Sequence, residues 1–384
     1  MIDSVIRLAL APAVCWALVA GSLAWAEPAK SCVGSALTED PKEFLDLPEG
    51  YIYETLMESG KPMSDGRIFP WRPDLNVYIP LIGPRAFLVT SHELAQDKNP
   101  EWGTGSLTRL YLVDDKIEES RILAEGMRNN CSGSLTPWGT VLTNEEYPRE
   151  PDEEFSGEGF VWEVDPHTGK KWKLEKLGRF SHESAVVSKE GVVYMTEDAP
   201  GGLLYRFVPK RPGNLKEGVL SAYNYRRKIW IEIRDPFHAR HEAVTKLATG
   251  FNRLEGLALS HDGRFLYFDA TGDPDVTEKP DLYGRIYKLD IKSSKLKVFY
   301  EGDGDVLANP DNLIFDKKGR LWIMEDQGEA NLDRFGNNEI LVMKQDRKTC
   351  VFARLRDFSC EPTGPEFSSD GNSFFLSVQC KKQT

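Results

Sequence analysis

Positive charge is scarce in this 384-residue chain: 48 Lys and Arg stand against 60 Asp and Glu, a formal net charge of −12. A pI near 5.2 argues against nucleic acid or an anionic membrane surface as a partner, because phosphates attract basic faces. Histidine is also thin, at six residues, and none has zinc-site spacing. His238 and His241 fall in a basic, aromatic stretch, His167 and His261 look like turn residues, and His92 and His182 read as orienting or structural groups ahead of acids. No glycine-rich phosphate loop and no G-x-S-x-G elbow occurs, so nucleotide-loop and α/β-hydrolase chemistry are set aside. Helical periodicity is missing too: apolar residues do not recur at i, i+3, i+4, i+7. Hydrophobic residues still make up 40%, enough for a packed core and too many for wholesale disorder.

The single long apolar run is at the start. Residues 5–26 carry one charge, Arg7, and close on Leu23-Ala24-Trp25-Ala26. A short basic-leaning start, an apolar stretch and a small-x-small site read as a secretory signal peptide cut after Ala26; a membrane anchor is the alternative. The expectation is a leader over 1–26, an N-terminal arm over 27–50 and a single domain over 51–384. The mature protein is expected to be periplasmic or secreted, monomeric and without stable membrane insertion. Cys15 leaves with the leader, and Cys32, Cys131, Cys350, Cys360 and Cys380 remain. Five is odd, so in an oxidising compartment one cysteine is free or committed elsewhere.

What fills the chain is a repeat: an apolar strand, a polar turn with glycine, a second apolar strand, then acid. It recurs at Leu135–Glu146, Val187–Asp198, Leu259–Asp269, Phe315–Asp326 and Phe367–Val378, with a degenerate copy at Arg85–Glu93. The turn glycines Gly139, Gly191, Gly263, Gly319 and Gly371 are 52, 72, 56 and 52 residues apart, and Ala86 takes the same place 53 residues before Gly139. Six units of that period predict an all-β, six-bladed β-propeller. The long 72-residue step predicts an insertion near 208–242. A seven-bladed propeller and a pair of β-sandwiches are the competing architectures, and the regular period disfavours the sandwiches.

The repeat also aligns chemistry. Eight residues before each turn glycine stand Cys131, Glu183, Glu255, Asp311 and Thr363. Four of these are metal-ligand types where strands this apolar normally carry Val or Ile. Equivalent inner-strand positions surround a propeller's central channel, and carboxylates gathered there repel unless cations neutralise them. This predicts a metal site in the channel: oxygen ligands suit Ca²⁺, whereas a thiolate at Cys131 points to iron or zinc. Ligation by Cys131 would leave Cys32, Cys350, Cys360 and Cys380 for two bridges. A second column, Glu93, Glu146, Asp198 and Asp326, with Glu145, Glu197, Asp269 and Glu325 one residue earlier, reads mostly as ordinary strand-end acid. Arg253, two residues before Glu255, suits capture of a tetrahedral oxyanion beside such a site; a salt bridge to Glu255 is the plainer alternative.

These residues resemble the PhoX-type phosphatase family. The segments that carry the likeness are Asn129-Asn-Cys-Ser-Gly-Ser-Leu-Thr-Pro-Trp-Gly-Thr140, Thr143-Asn-Glu-Glu146, Gly159–Pro166, Leu177–Glu183, Val193–Asp198, Leu204–Pro209, Phe251–Gly256, Pro310–Leu313 and Glu361–Pro365. Val89-Thr-Ser-His-Glu93 fits an early His-Glu strand of the family, and the resemblance runs from about residue 45 to 380. It implies an exported six-bladed propeller hydrolysing phosphomonoesters of small molecules with Fe³⁺ and Ca²⁺ in the channel. By that resemblance Cys131 ligates iron; Glu93, Glu183, Glu255 and Glu361 are carboxylate ligands, with Glu146 and Asp311 further transfers. Arg253 holds the phosphoryl oxygens, assisted by Asn76 or Asn130. Ser134 and Asn144 depart from the family pattern, which favours Gly and often Cys there. The rivals are a calcium-dependent lactonase-like propeller, which calls for no thiolate, and a non-catalytic, metal-stabilised binding propeller.

Overall fold

Short β-rich runs closed by glycine turns make antiparallel sheets rather than helices. In the computed structural model, which describes residues 2–10, 36–95, 103–148, 158–272, 282–304, 306–327, 336–344 and 346–380, those sheets are the six blades of a β-propeller. The first blade is Pro73–Pro80, Arg85–His92, Gly105–Val113 and Lys116–Met127; the second is Asn130–Leu135, Val141–Glu145, Val161–Val164 and Lys171–Lys173. The third opens with His182–Val187 and Val193–Glu197, the fourth with Leu254–Leu259 and Phe265–Ala270. The fifth opens with Pro310–Phe315 and Leu321–Glu325, the sixth with Cys360–Phe367 and Ser373–Cys380. Each first-named strand is innermost and packs against its counterparts in the two neighbouring blades, so six inner strands ring one channel. Apolar side chains weld blade to blade: Leu75, Val77, Val89 and Leu107 of the first pack with Val141 and Val164 of the second. Fully burying such a side chain stabilises by roughly 1.5–3 kcal/mol.

Five of the turn glycines lie where the repeat places them, with φ between 68° and 88°, a region that costs a residue with a Cβ. The first blade differs. Its hairpin turns at Gly83, φ 73°, and Ala86 lies inside the second strand. The predicted insertion at 208–242 is corrected in part. Tyr205–Arg211 and Asn214–Asn224 are the ordinary third and fourth strands of the third blade. What is added is a fifth strand, Ile229–Ile233, followed by a short 3₁₀ turn and the helix Ala239–Thr245. Among the described residues no helix is long and apolar enough to cross a membrane.

In the full chain Ser4–Leu10 is the third strand of the last blade. It pairs antiparallel with Ser373–Cys380 on one side and with Tyr51–Glu58 on the other. Those two neighbours therefore run parallel to each other, and an antiparallel strand between them is what completes the sheet. Val5, Ile6 and Leu8 are buried there. Nor do the described residues of the 27–50 arm stand apart: Leu45–Pro48 pairs with the outer strand of the fifth blade, and Leu37–Thr38 with it in turn. Cys15 and Cys32 lie outside the described residues. Cys360 and Cys380 form a disulfide across the first two strands of the last blade, and Cys350 is disulfide-bonded as well. Cys131 is a free, buried thiol.

Candidate active site

In every blade the pairing of the two inner strands slips once. The shifts fall at Pro73/Asn76, Thr143/Asn144, His182/Ala185, Leu254/Leu257, Pro310/Asn312 and Thr363/Glu366. A bulge frees a residue from the ladder and re-aims its side chain. Asp74, Glu183, Glu255 and Asp311 are such freed residues, and all four line one cavity at the channel mouth. The residue entering the inner strand is left-handed in four blades: Arg72, Asn129, Arg253 and Asn309 have φ of 51°, 44°, 53° and 51°. Non-glycine residues rarely adopt that conformation, and it concentrates at functional sites.

The cavity holds about 480 Å³. Nine carboxylates line it, from Asp74, Glu93, Glu146, Glu183, Asp198, Glu255, Asp311, Asp326 and Glu361, together with the Cys131 thiol and two arginines, Arg72 and Arg253. Three triads have ligand atoms within 4.8 Å of one another: Asp74–Glu93–Cys131, Cys131–Glu146–Glu183 and Glu183–Glu255–Asp311. They share members, so the donors form one continuous arc. The Cys131 Sγ lies 3.1 Å from each oxygen of Glu183. Burial, then neighbouring acids, pushes Glu146, Glu183, Glu255, Asp311 and Glu361 well above the usual carboxyl range. Asp74 is pushed up to about 7 by burial and then Glu93, and burial raises the Cys131 thiol. Without a cation the site therefore holds protons. The Oδ1 of Asp74 is buried with no hydrogen-bond partner.

Arg253 faces this arc. Its Nε and Nη2 donate to the two oxygens of Asp198, each at 3.0 Å, and Nη2 also donates to Glu255 Oε1 at 2.7 Å. Nη1 carries none of these bonds. The Tyr147 hydroxyl, from a residue with φ 48°, donates to Asp198 Oδ2 at 2.9 Å. Glu255 and Asp198 hold the guanidinium charged. Arg72 donates to Glu93 Oε2 at 2.8 and 3.3 Å; burial opposes its charge, but Glu93 and Glu361 outweigh that.

The structure brings Arg253, Glu93, Cys131, Glu146, Glu183, Glu255, Asp311 and Glu361 into one cavity. Asn76 and Asn130, expected to assist Arg253, do not line it. Asn76 is buried further down the channel, donating to Gly364 O at 2.8 Å and Ser377 Oγ at 2.9 Å. Asn130 points into its own blade toward Thr143 Oγ1 at 3.2 Å, because strand side chains alternate and its neighbour Cys131 takes the channel face. Asn129 lines the cavity instead and donates to Glu146 Oε2 at 3.2 Å. Thr363 sits below the mouth, its hydroxyl 2.7 Å from Asp74 Oδ2; in that blade the acid is Glu361, two residues earlier. The same alternation splits the second column. Glu93, Glu146, Asp198 and Asp326 line the cavity. One residue earlier, Glu145, Glu197, Asp269 and Glu325 turn away and accept backbone amides of Arg128, Leu203, Gly256 and Ala308. His92 and His182 are buried, bonded to backbone carbonyls and lowered to about 3 by burial, in keeping with structural roles.

Sequence reasoning missed Arg72, Asp74, Asn129 and Tyr147. The eight-residue offset from Gly83, the turn glycine of that blade, lands on Leu75, and Asp74 lies one residue further back in the Pro73/Asn76 bulge.

Residues 104–381 match the family model of the alkaline phosphatase PhoX. No curated protein sequence matches the chain. Among solved structures, the chain is similar to Pseudomonas fluorescens PhoX in complex with vanadate, a transition state analogue, at 20% identity and a TM-score of 0.72, over 92% of this chain and 93% of that one. A gluconolactonase from Xanthomonas campestris aligns at 14% identity over 84% of this chain and 99% of that one, with a TM-score of 0.44. The first likeness supports the propeller fold.

Proposed function

The chain belongs to the PhoX alkaline phosphatase family, and we propose that it is an exported, metal-dependent phosphatase that hydrolyses small-molecule phosphomonoesters at the channel mouth. One observation carries this reading: nine carboxylates and a thiol converge on a cavity with two arginines. Such a density of buried acid is costly without cations.

The donor set fits cations, and the unpartnered Asp74 Oδ1 is a ligand atom in waiting. Asp74, Glu93, Glu183, Glu255, Asp311 and Glu361 offer the hard oxygens that Ca²⁺ takes. Cys131 with Glu146 and Glu183 would hold Fe³⁺, since a thiolate favours a transition metal. When bound, such cations supply Lewis-acid polarisation of the phosphoryl oxygens. Loading is expected to release the protons that burial holds on Glu183, Glu255 and Asp311.

The remaining work falls to the chain's own residues. Arg253, its fork fixed by Asp198 and Glu255, presents Nη1 to the non-bridging oxygens as charge grows on them. Tyr147 and Asp198 pre-orient that guanidinium, so little reorganisation is needed at the moment of reaction. Arg72 holds Glu93 in place on its side of the cavity through its two hydrogen bonds. Hydrolysis of p-nitrophenyl phosphate, lost on chelation and on Arg253→Ala, tests the reading; an active protein in either condition refutes it.

A further inference from the structure

The segment that reads as a leader touches the rim of the active site. Asp3, 4% exposed, stands just ahead of the strand Ser4–Leu10. One of its carboxylate oxygens accepts the backbone amide of Arg72 and the other that of Cys380, each at 2.8 Å; its carbonyl accepts Ser59 N at 2.9 Å. Both amides held by the carboxylate belong to the support of the site. Arg72 is the left-handed residue whose guanidinium bonds Glu93. Cys380 is disulfide-bonded to Cys360, the neighbour of Glu361, and Gln379 beside it donates to Glu93 Oε2 at 3.2 Å. One buried carboxylate from the N-terminal segment thus ties together the elements that carry Glu93 and Glu361.

The strand behind Asp3 has no substitute in the described fold. Ser373–Cys380 and Tyr51–Glu58 lie on either side of it and run parallel to one another. Removing it would leave facing rows of unpaired N–H and C=O groups and a slot where Val5, Ile6 and Leu8 are buried.

We propose that Ser4–Leu10 stays in the last blade of the working protein, whether or not the chain is cut after Ala26, and that Asp3 is a positioning residue for Arg72, Glu93 and Glu361. The positioning part rests on the cavity being a cation site, as proposed above; the strand part does not.

The test compares three proteins: the full chain, a chain beginning at Glu27, and full-length Asp3→Asn. Each is measured for melting temperature in EDTA, for Ca²⁺ binding by calorimetry, and for KM and kcat on p-nitrophenyl phosphate. The chain from Glu27 is expected to melt well below the full chain, and a synthetic peptide of residues 1–10 added in trans should restore its melting temperature and Ca²⁺ binding. Asp3→Asn is expected to fold, bind Ca²⁺ about tenfold more weakly and raise KM with kcat less affected, as loss of a charge-assisted bond predicts. A chain from Glu27 that melts and binds Ca²⁺ like the full chain would overturn the strand; so would one that the peptide fails to restore. Unchanged Ca²⁺ affinity and KM in Asp3→Asn would overturn the positioning role. If the full chain binds Ca²⁺ but hydrolyses nothing, the phosphatase reading fails while Ca²⁺ affinity and melting still decide this one.

Discussion

Replacing Arg253 by alanine separates the roles in this site because its effects run in opposite directions. The guanidinium is 33% exposed, whereas its partners Asp198 and Glu255 are 3% and 7% exposed. Deleting it removes the group that meets the phosphoryl oxygens, and loss of one preorganised donor costs about 10²–10³ in rate, roughly 3–4 kcal/mol. It also leaves two buried carboxylates without their cation. Breaking a buried pair costs up to about 3–5 kcal/mol, less here because solvent screens the arginine. That second penalty should appear only in chelator, since added Ca²⁺ gives Glu255 another partner. Ca²⁺ affinity should hold or rise, because a positive charge has left an acidic cavity. The assays are kcat/KM on p-nitrophenyl phosphate, Ca²⁺ titration calorimetry and melting with and without EDTA. Hydrolysis and Ca²⁺ affinity falling together would refute the argument, since Arg253 would then be holding the fold of the site rather than the substrate.

Other outcomes follow from the same contacts. Tyr147→Phe removes the hydroxyl that steadies Asp198 and is expected to lower kcat/KM about tenfold with little change in melting temperature, as steady-state kinetics would reveal. Asn76→Ala should do the reverse: it strands Gly364 O, Ser377 Oγ and Thr90 Oγ1, so melting should show a loss of roughly 1–3 kcal/mol while kcat holds. Burial lifts Glu197 to about 7, Arg240 offsetting part of the effect, and Glu325 to about 8. A raised folded-state carboxyl binds protons that the unfolded chain has released, so its stabilisation is full below about pH 4.5 and fades as pH climbs through 7–8. In EDTA the melting temperature should therefore fall from pH 5 to 8, by at most about 1.4 kcal/mol per pH unit for each group; a rise would contradict the assignment.

The period and its glycines carried the fold, because a propeller repeats its turn chemistry in every blade. They also carried most of the site, since a fixed offset from the turn reaches the same rim of the channel. What the offset cannot follow is a bulge: in the last blade it lands on Thr363 while Glu361 faces the cavity, and in the first, even counted from the true turn at Gly83, it lands on Leu75 while Asp74 faces the cavity. Neighbouring polar residues in a strand look alike in sequence, yet alternation sends Glu146 to the cavity and Glu145 to backbone amides, Asn129 inward and Asn130 away. Arg72 and Tyr147 matter through left-handed backbone at strand ends, which composition does not encode. Ser4–Leu10 is ambiguous in sequence for another reason. A strand buried on both faces and a leader's apolar core are both short apolar runs, and the pairing with Ser373–Cys380 and Tyr51–Glu58 is not written in either.

The central claim is that the acid arc works by holding cations. The direct measurement is hydrolysis of p-nitrophenyl phosphate by one preparation, assayed as purified, after exhaustive chelation, and after Ca²⁺ and Fe³⁺ are restored, with elemental analysis at each stage. The account predicts iron and calcium in the active protein, hydrolysis lost with the metals and regained on their return. Full hydrolysis by protein that elemental analysis finds free of metal would contradict it.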